Sequence, residues 1–173
     1  MAILIISCSL SPGSRSRLLA DEAARKLKSL DAHVELLDLR HHNLPMCDGE
    51  DVDEKLVAPA SELILGADAI LMAVPIYNYD VNAAAKNLVE VTGNAWERKI
   101  VGFACAAGGH GSYMSVMGLA NSLMLDFRCL IVPRFVYATS ESFDGDRITS
   151  SKVQSRLDEL CRELLRMGTA LRE

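Results

Sequence analysis

The sequence predicts an α/β fold: five parallel strands in one sheet, in the order 2-1-3-4-5, between two layers of helices. Three observations predict it. Strand-like apolar runs alternate strictly with helix-like amphipathic stretches, five of each, without repeats or low-complexity linkers. Two of the runs, residues 69–74 and 100–106, are continuously apolar, as strands covered on both faces must be. Finally, 173 residues, half of them apolar, suffice for a single domain, 1–173, with a sizeable core.

The first strand is Ile3-Leu4-Ile5-Ile6, with Met1 and Ala2 ahead of it. The segment Ser7 to Ser16 holds five serines, Pro12 and Gly13, and helical spacing then runs through Leu18, Leu19, Ala23, Leu27 and Leu30. Ser14 or Ser16 suits its N-cap. Residues 33–39 read as the second strand, and residues 40–54 as a polar, turn-rich connection. A helix fits residues 56–65 and stops at Gly66. After the strand at 69–74, residues 75–81 read as a loop, and Asn82 suits the cap of a helix to about residue 95. The strand at 100–106 leads through 107–111 into a helix over 112–126. The last strand, 129–132, is interrupted at Pro133 and resumes over 135–137. Residues 140–149 are a polar loop. Ser151 and Gln154 suit a capping box opening a final helix with Val153, Leu157, Leu160, Leu164 and Leu165 on one face.

This strand order brings the loops after strands 1, 3 and 4 into one crevice at the carboxyl edge of the sheet. The first loop is an anion cradle: free backbone N–H groups, the positive helix end, serine hydroxyls, and the charges of Arg15 and Arg17. It also fits an ordinary strand-to-helix turn. The second, Pro75-Ile76-Tyr77-Asn78-Tyr79-Asp80-Val81-Asn82, suits the edge of a planar heterocycle, or a turn whose tyrosines cover the sheet end. The third, Gly108-Gly109-His110-Gly111, admits close backbone approach, with His110 by itself better read as a solvated loop residue. Together the three describe a site for a mononucleotide with a flat, polar-edged ring.

Composition excludes other classes. A net charge of −5 without basic runs argues against nucleic-acid binding. Five widely spaced cysteines without a Cys-x-x-Cys pair suggest reduced thiols in the cytoplasm and offer no metal-ligand set. No stretch reaches the length of a membrane span, and no basic region precedes the first apolar run, so neither membrane insertion nor a signal peptide is expected.

Over about residues 1–137 the chain resembles the NADPH-dependent FMN reductase family, flavodoxin-like flavoproteins that include quinone and azo-dye reductases. In the first motif Ser9, Ser14 and Ser16 match, Cys8 replaces the usual glycine, and Ser11 stands where many members carry arginine. The second, most specific motif is met by Pro75, Tyr77, Asn78, Lys86 and Asn87, with departures at Asp80, Asn82, Ala83 and Ala85. The third is met by Gly108, Gly109 and Val132-Pro133.

The resemblance implies a flavodoxin-like three-layer sandwich binding FMN. Hydride would pass from NADPH or NADH to the flavin, then electrons to a second acceptor: free flavin, quinone, azo compound or metal oxyanion. The chemistry sits on flavin N5, so no catalytic side chain is required. Ser9, Ser11, Ser14, Arg15 and Ser16 would hold the phosphate, with Arg15 supplying the charge absent at Ser11. Pro75, Ile76, Tyr77 and Asn78 would border the ring, with Gly108, Gly109 and His110 near its pyrimidine end. Asp80 beside the flavin would alter its potential or its acceptor. A homodimer or homotetramer is implied, with Tyr79, the helix after Asn82 and Trp96 as interface candidates; Trp96 packed at a helix end is the plainer reading. Three alternatives stand beside this one. The first is a flavodoxin-type electron carrier without NAD(P)H oxidation. The second is a low-molecular-weight phosphatase using Cys8, opposed by the six residues separating Cys8 from Arg15 and by the lack of an Asp-Pro. The third is a family member that has lost FMN.

Overall fold

The computed structural model describes residues 1–49 and 52–171; residues 50 and 51 of the expected 40–54 connection, and residues 172–173, lie outside them. The elements follow as β1 (Ala2–Ser7), α1 (Arg15–Ser29), β2 (His33–Asp38), α2 (Glu54–Gly66), β3 (Ala69–Tyr77), β4 (Asp80–Val81) and α3 (Ala83–Thr92). Then come β5 (Ile100–Ala106), α4 (Met117–Phe127), β6 (Leu130–Ile131), β7 (Val136–Ala138), the hairpin β8 (Phe143–Asp144) and β9 (Arg147–Ile148), and α5 (Ser151–Ala170).

The main sheet runs β2-β1-β3-β5-β6, all parallel. β7 joins β5 farther along the same edge, so β6 and β7 are one strand broken at Pro133-Arg134. Counted so, the order is the expected 2-1-3-4-5. Alternating side chains of each strand serve the two helical layers. Leu4 and Ile6 point to the layer of Ile64 on α2, Leu88 on α3 and Leu119 and Leu123 on α4. Ile3 and Ile5 point to Leu19, Ala23 and Leu27 on α1 and to Leu157, Leu160 and Leu164 on α5. Gly102 gives α5 room to cross β5: a Cβ there would stand 2.9 Å from Leu160 Cδ1, so that side chain would have to shift. No described helix is long and apolar enough to cross a membrane.

Several boundaries differ from expectation, each for a local reason. α1 opens at Arg15, ahead of the apolar spacing that begins at Leu18, because the Ser14 hydroxyl, one of the two expected caps, accepts from the Arg17 N–H at 3.3 Å. β3 continues through Pro75–Tyr77, which read as loop; Asp80 and Val81 fold back on it across a two-residue turn. Asn78 and Tyr79 both have positive φ (50° and 65°), the conformation such hairpins demand. α3 ends at Thr92, where Gly93 turns left-handed (φ 45°), rather than near residue 95. α4 opens at Met117, since residues 110–112 form a separate 3-10 turn. The cap of α5 is Ser150, not Ser151. Gln154 donates to the Ile148 carbonyl at 2.6 Å instead of closing a capping box.

Candidate functional site

Parallel pairing aligns the carboxyl ends of the central strands: Ser7 lies opposite Ala73, and Pro75 opposite Ala106. Beyond them opens a cleft of about 730 Å³, in the range of small-molecule sites. Its wall contains Ser11, Ser14, Arg15 and Ser16 from the first loop, Pro75, Ile76, Tyr77 and Asn78 from the second, and Gly108 from the third. Gly13, Ala106 and Ala107 complete it. These three were not anticipated; the signal for the alanines was their place at the end of β5, and for Gly13 its neighbours in the serine loop.

Three anticipated residues are not in the wall. Ser9 is buried and its Oγ accepts from the Ser11 N–H at 3.2 Å, so it shapes the loop from beneath. Gly109 accepts at its carbonyl from the Tyr137 hydroxyl (2.6 Å). His110 is exposed, 3.9 Å from the Glu141 carboxylate.

Asn82 ties the first two loops together. Its side-chain amide donates to the Cys8 carbonyl at 2.7 Å, and its backbone N–H donates to Pro75 at 3.2 Å. The second and third loops also touch, since the Tyr79 ring lies so close to Gly111 that a Cβ there would be 3.2 Å from the hydroxyl.

Charge separates the arginines of the first loop. Arg17 is bound by two carboxylates, Asp21 at 2.8 Å and Asp38. Arg40 also grips Asp38, at 2.5 and 3.1 Å. Burial pushes the Asp38 carboxyl up, but hydrogen bonds from Arg40 and the charges of Arg40 and Arg17 outweigh this and hold it below the usual range. Arg17 is therefore neutralised and adds no charge to the cleft, contrary to expectation. Among the described residues Arg15 makes no ion pair, and it stands in the cleft wall. Ser14 Oγ satisfies the Arg17 N–H, while those of Arg15 and Ser16 belong to the first turn and have no intrahelical partner. A doubly charged phosphate fits this donor set, and the aromatic, αL-turned second loop fits the edge of a flat ring. The residues present suit FMN.

Two expectations about single residues resolve plainly. Cys8 is fully buried; its thiol faces the Ile6 carbonyl at 3.8 Å, and burial, reinforced by Cys105, pushes its pKa far up. Such a thiol is no nucleophile, which removes the phosphatase alternative. Trp96 is fully buried, its indole N–H donating to Thr92 Oγ1 at 2.7 Å, so it belongs to the core and not to an interface.

Fold and site thus define a mononucleotide-binding protein of the flavodoxin-like class. The chain belongs to the NADPH-dependent FMN reductase family, whose model matches residues 1–144. An NAD(P)H-dependent FAD/FMN reductase of Geobacillus thermodenitrificans (strain NG80-2) is 25% identical over 171 residues, covering 92% of this chain and 90% of that relative. Among solved structures, an oxidoreductase from Corynebacterium diphtheriae superposes with a TM-score of 0.79 at 18% identity, over 98% of this chain and 97% of its own. A flavoenzyme NAD(P)H:(acceptor) oxidoreductase from Paracoccus denitrificans gives 0.71 at 20% identity, over 95% and 97%. At such identities these two likenesses concern the fold. Family membership makes the protein an oxidoreductase of the FMN- and NAD(P)H-using kind rather than a passive electron carrier.

Proposed function

We propose that the protein takes reducing equivalents from NADPH or NADH and delivers them, through FMN held in the carboxyl-edge cleft, to a small-molecule acceptor such as free flavin, a quinone, an azo compound or a metal oxyanion. One observation carries the reading: an uncompensated arginine at a capped helix start, in the wall of a cleft shared with an aromatic hairpin. FMN, when bound, supplies the hydride and electron chemistry. The chain's own part is to bind and orient. Ser11, Ser14, Arg15 and Ser16 face the phosphate, with Ser9 fixing the loop behind them. Pro75, Ile76, Tyr77 and Asn78 border the ring, and Gly108 lines its far end, backed by Gly109 and His110.

A homodimer or homotetramer is part of this reading. The exposed Tyr77 and Tyr79 beside the cleft, and Met114 and Met117 at the start of α4, support it. Sedimentation showing a monomer would remove that part alone. A cytoplasmic location rests on the cysteine pattern described above.

The test is spectroscopic. Purified protein with added FMN should show a flavin band at about 450 nm that bleaches when NADPH is added without oxygen. Failure to retain FMN, or a band that neither NADPH nor NADH bleaches, overturns the proposal.

A further inference from the structure

The guanidinium of Arg15 lies 5.9 Å from the centroid of the Phe143 ring. Among the described residues the Arg15 head makes no other ring contact, ion pair or hydrogen bond: Arg17 and Arg40 take Asp21 and Asp38, and Asp146, which lines the same recess as Arg15 and Phe143, forms no ion pair with it. Phe143 is itself firmly placed. It pairs with Ile148 across the β8–β9 hairpin and packs on the α1–α5 core layer. The residue before it is fastened on both sides: the Ser142 N–H donates to the Thr139 carbonyl (2.9 Å), and its own carbonyl accepts from the Thr149 N–H (2.9 Å). The hairpin thus presents an aromatic face behind the cradle.

The choice of an aromatic partner has a physical consequence. A carboxylate in that position would fix the arginine but cancel its charge, as Asp38 and Asp21 do for Arg17. A ring face attracts the cation while leaving its net charge and its N–H donors free for an anion.

We infer that Phe143 is a positioning residue for the phosphate end of the bound flavin, acting through Arg15. The inference rests on the reading that FMN occupies the cleft. Calorimetric titrations of flavin-free protein with FMN, and with riboflavin, which lacks the phosphate, test both. Phe143→Leu should weaken FMN about 2–5-fold while leaving riboflavin unchanged. Phe143→Tyr, which keeps the ring face, should bind FMN like the parent protein. In an Arg15→Ala background Phe143→Leu should cause no further loss. If Phe143→Leu does not fold by circular dichroism, Phe143→Met carries the same comparison. An equal loss for riboflavin, an undiminished loss in the Arg15→Ala background, or no loss at all overturns the inference. A parent protein that does not bind FMN more tightly than riboflavin overturns the phosphate-cradle reading itself, and the inference with it.

Discussion

Hollows of nearly equal size open at the two ends of the sheet, about 730 Å³ at the carboxyl edge and about 680 Å³ at the amino edge. Arg15 is the basic residue of the first wall, and Arg98, Lys99 and Arg128 those of the second; Arg98, like Arg15, makes no ion pair among the described residues, so what sets the carboxyl edge apart is the helix start beside its arginine. At the amino edge the Lys99 ammonium donates to the Leu65 and Ala67 carbonyls, at 2.7 and 2.9 Å, closing the end of α2. Burial lowers the Lys99 pKa, though Asp68 partly offsets this. Arg128 pairs with Glu97 at 3.2 Å. At the carboxyl edge Arg15 has no such partner, and first-turn N–H groups stand beside it. Volume does not distinguish a binding cleft from a structural recess; an uncompensated charge next to unpaired donors does.

The largest effect is therefore expected from Arg15→Ala, which should weaken FMN by about 1.5–3 kcal/mol, roughly 10–150-fold. Arg128→Ala at the opposite end should leave FMN affinity unchanged in the same titration. An equal loss from both would erase the distinction between the ends.

Asp38→Asn comes next. It leaves Arg40 without its carboxylate and Arg17 with Asp21 alone, and should cost about 1–3 kcal/mol of stability in urea unfolding. FMN affinity should survive, because the charge released is positive. Since the folded-state pKa of Asp38 is depressed, its contribution is present above the ordinary carboxylate range and fades as pH falls through the depressed value. The parent should therefore lose more stability than Asp38→Asn on acidification below about pH 4.

Lys99→Met should cost about 1 kcal/mol by uncapping the α2 carbonyls, again with no change in flavin binding. A loss of FMN affinity here would assign the amino-edge hollow a role in the site.

The smallest effects concern the thiols. Cys8, Cys105, Cys129 and Cys161 are buried and Cys47 is exposed, so one equivalent of a thiol reagent should react quickly in native protein and four more only after denaturation. Burial pushes Cys129 up to about 11 and Cys161 up to about 12. A thiol whose pKa is raised by folding contributes its stability fully below the ordinary thiol range, and the contribution fades as pH rises from that range to the raised value. The melting temperature should fall from about pH 8.5 upward, toward the raised values of about 11 and 12, and fall less in Cys161→Ala.

Much of the architecture was legible in the chain. Apolar runs such as 69–74 and 100–106 need a sheet covered on both faces, and strict alternation leaves few ways to arrange five strands. The convergence of the serine loop, the Tyr77–Asn78 segment and the Gly108 loop follows from that order. Hairpin β3–β4 was not legible, because its turn carries Asn78-Tyr79 rather than the Asn-Gly that marks such turns. The start of α1 was legible only as a choice between Ser14 and Ser16, since the cap lies one turn ahead of the apolar spacing.

By itself the sequence determined the layers, the strand order and the edge at which the cleft opens, because periodicity and chain connectivity are written along one dimension. Only the tertiary structure decided which arginine stays free. Arg15 and Arg17 look alike in the chain. Parallel pairing sets Asp38 beside Ser7, where it takes Arg17 across 21 residues, while the distant Phe143 ring meets Arg15 without cancelling its charge. Compensation of a charge depends on neighbours brought together in space, and local spacing carries no record of them.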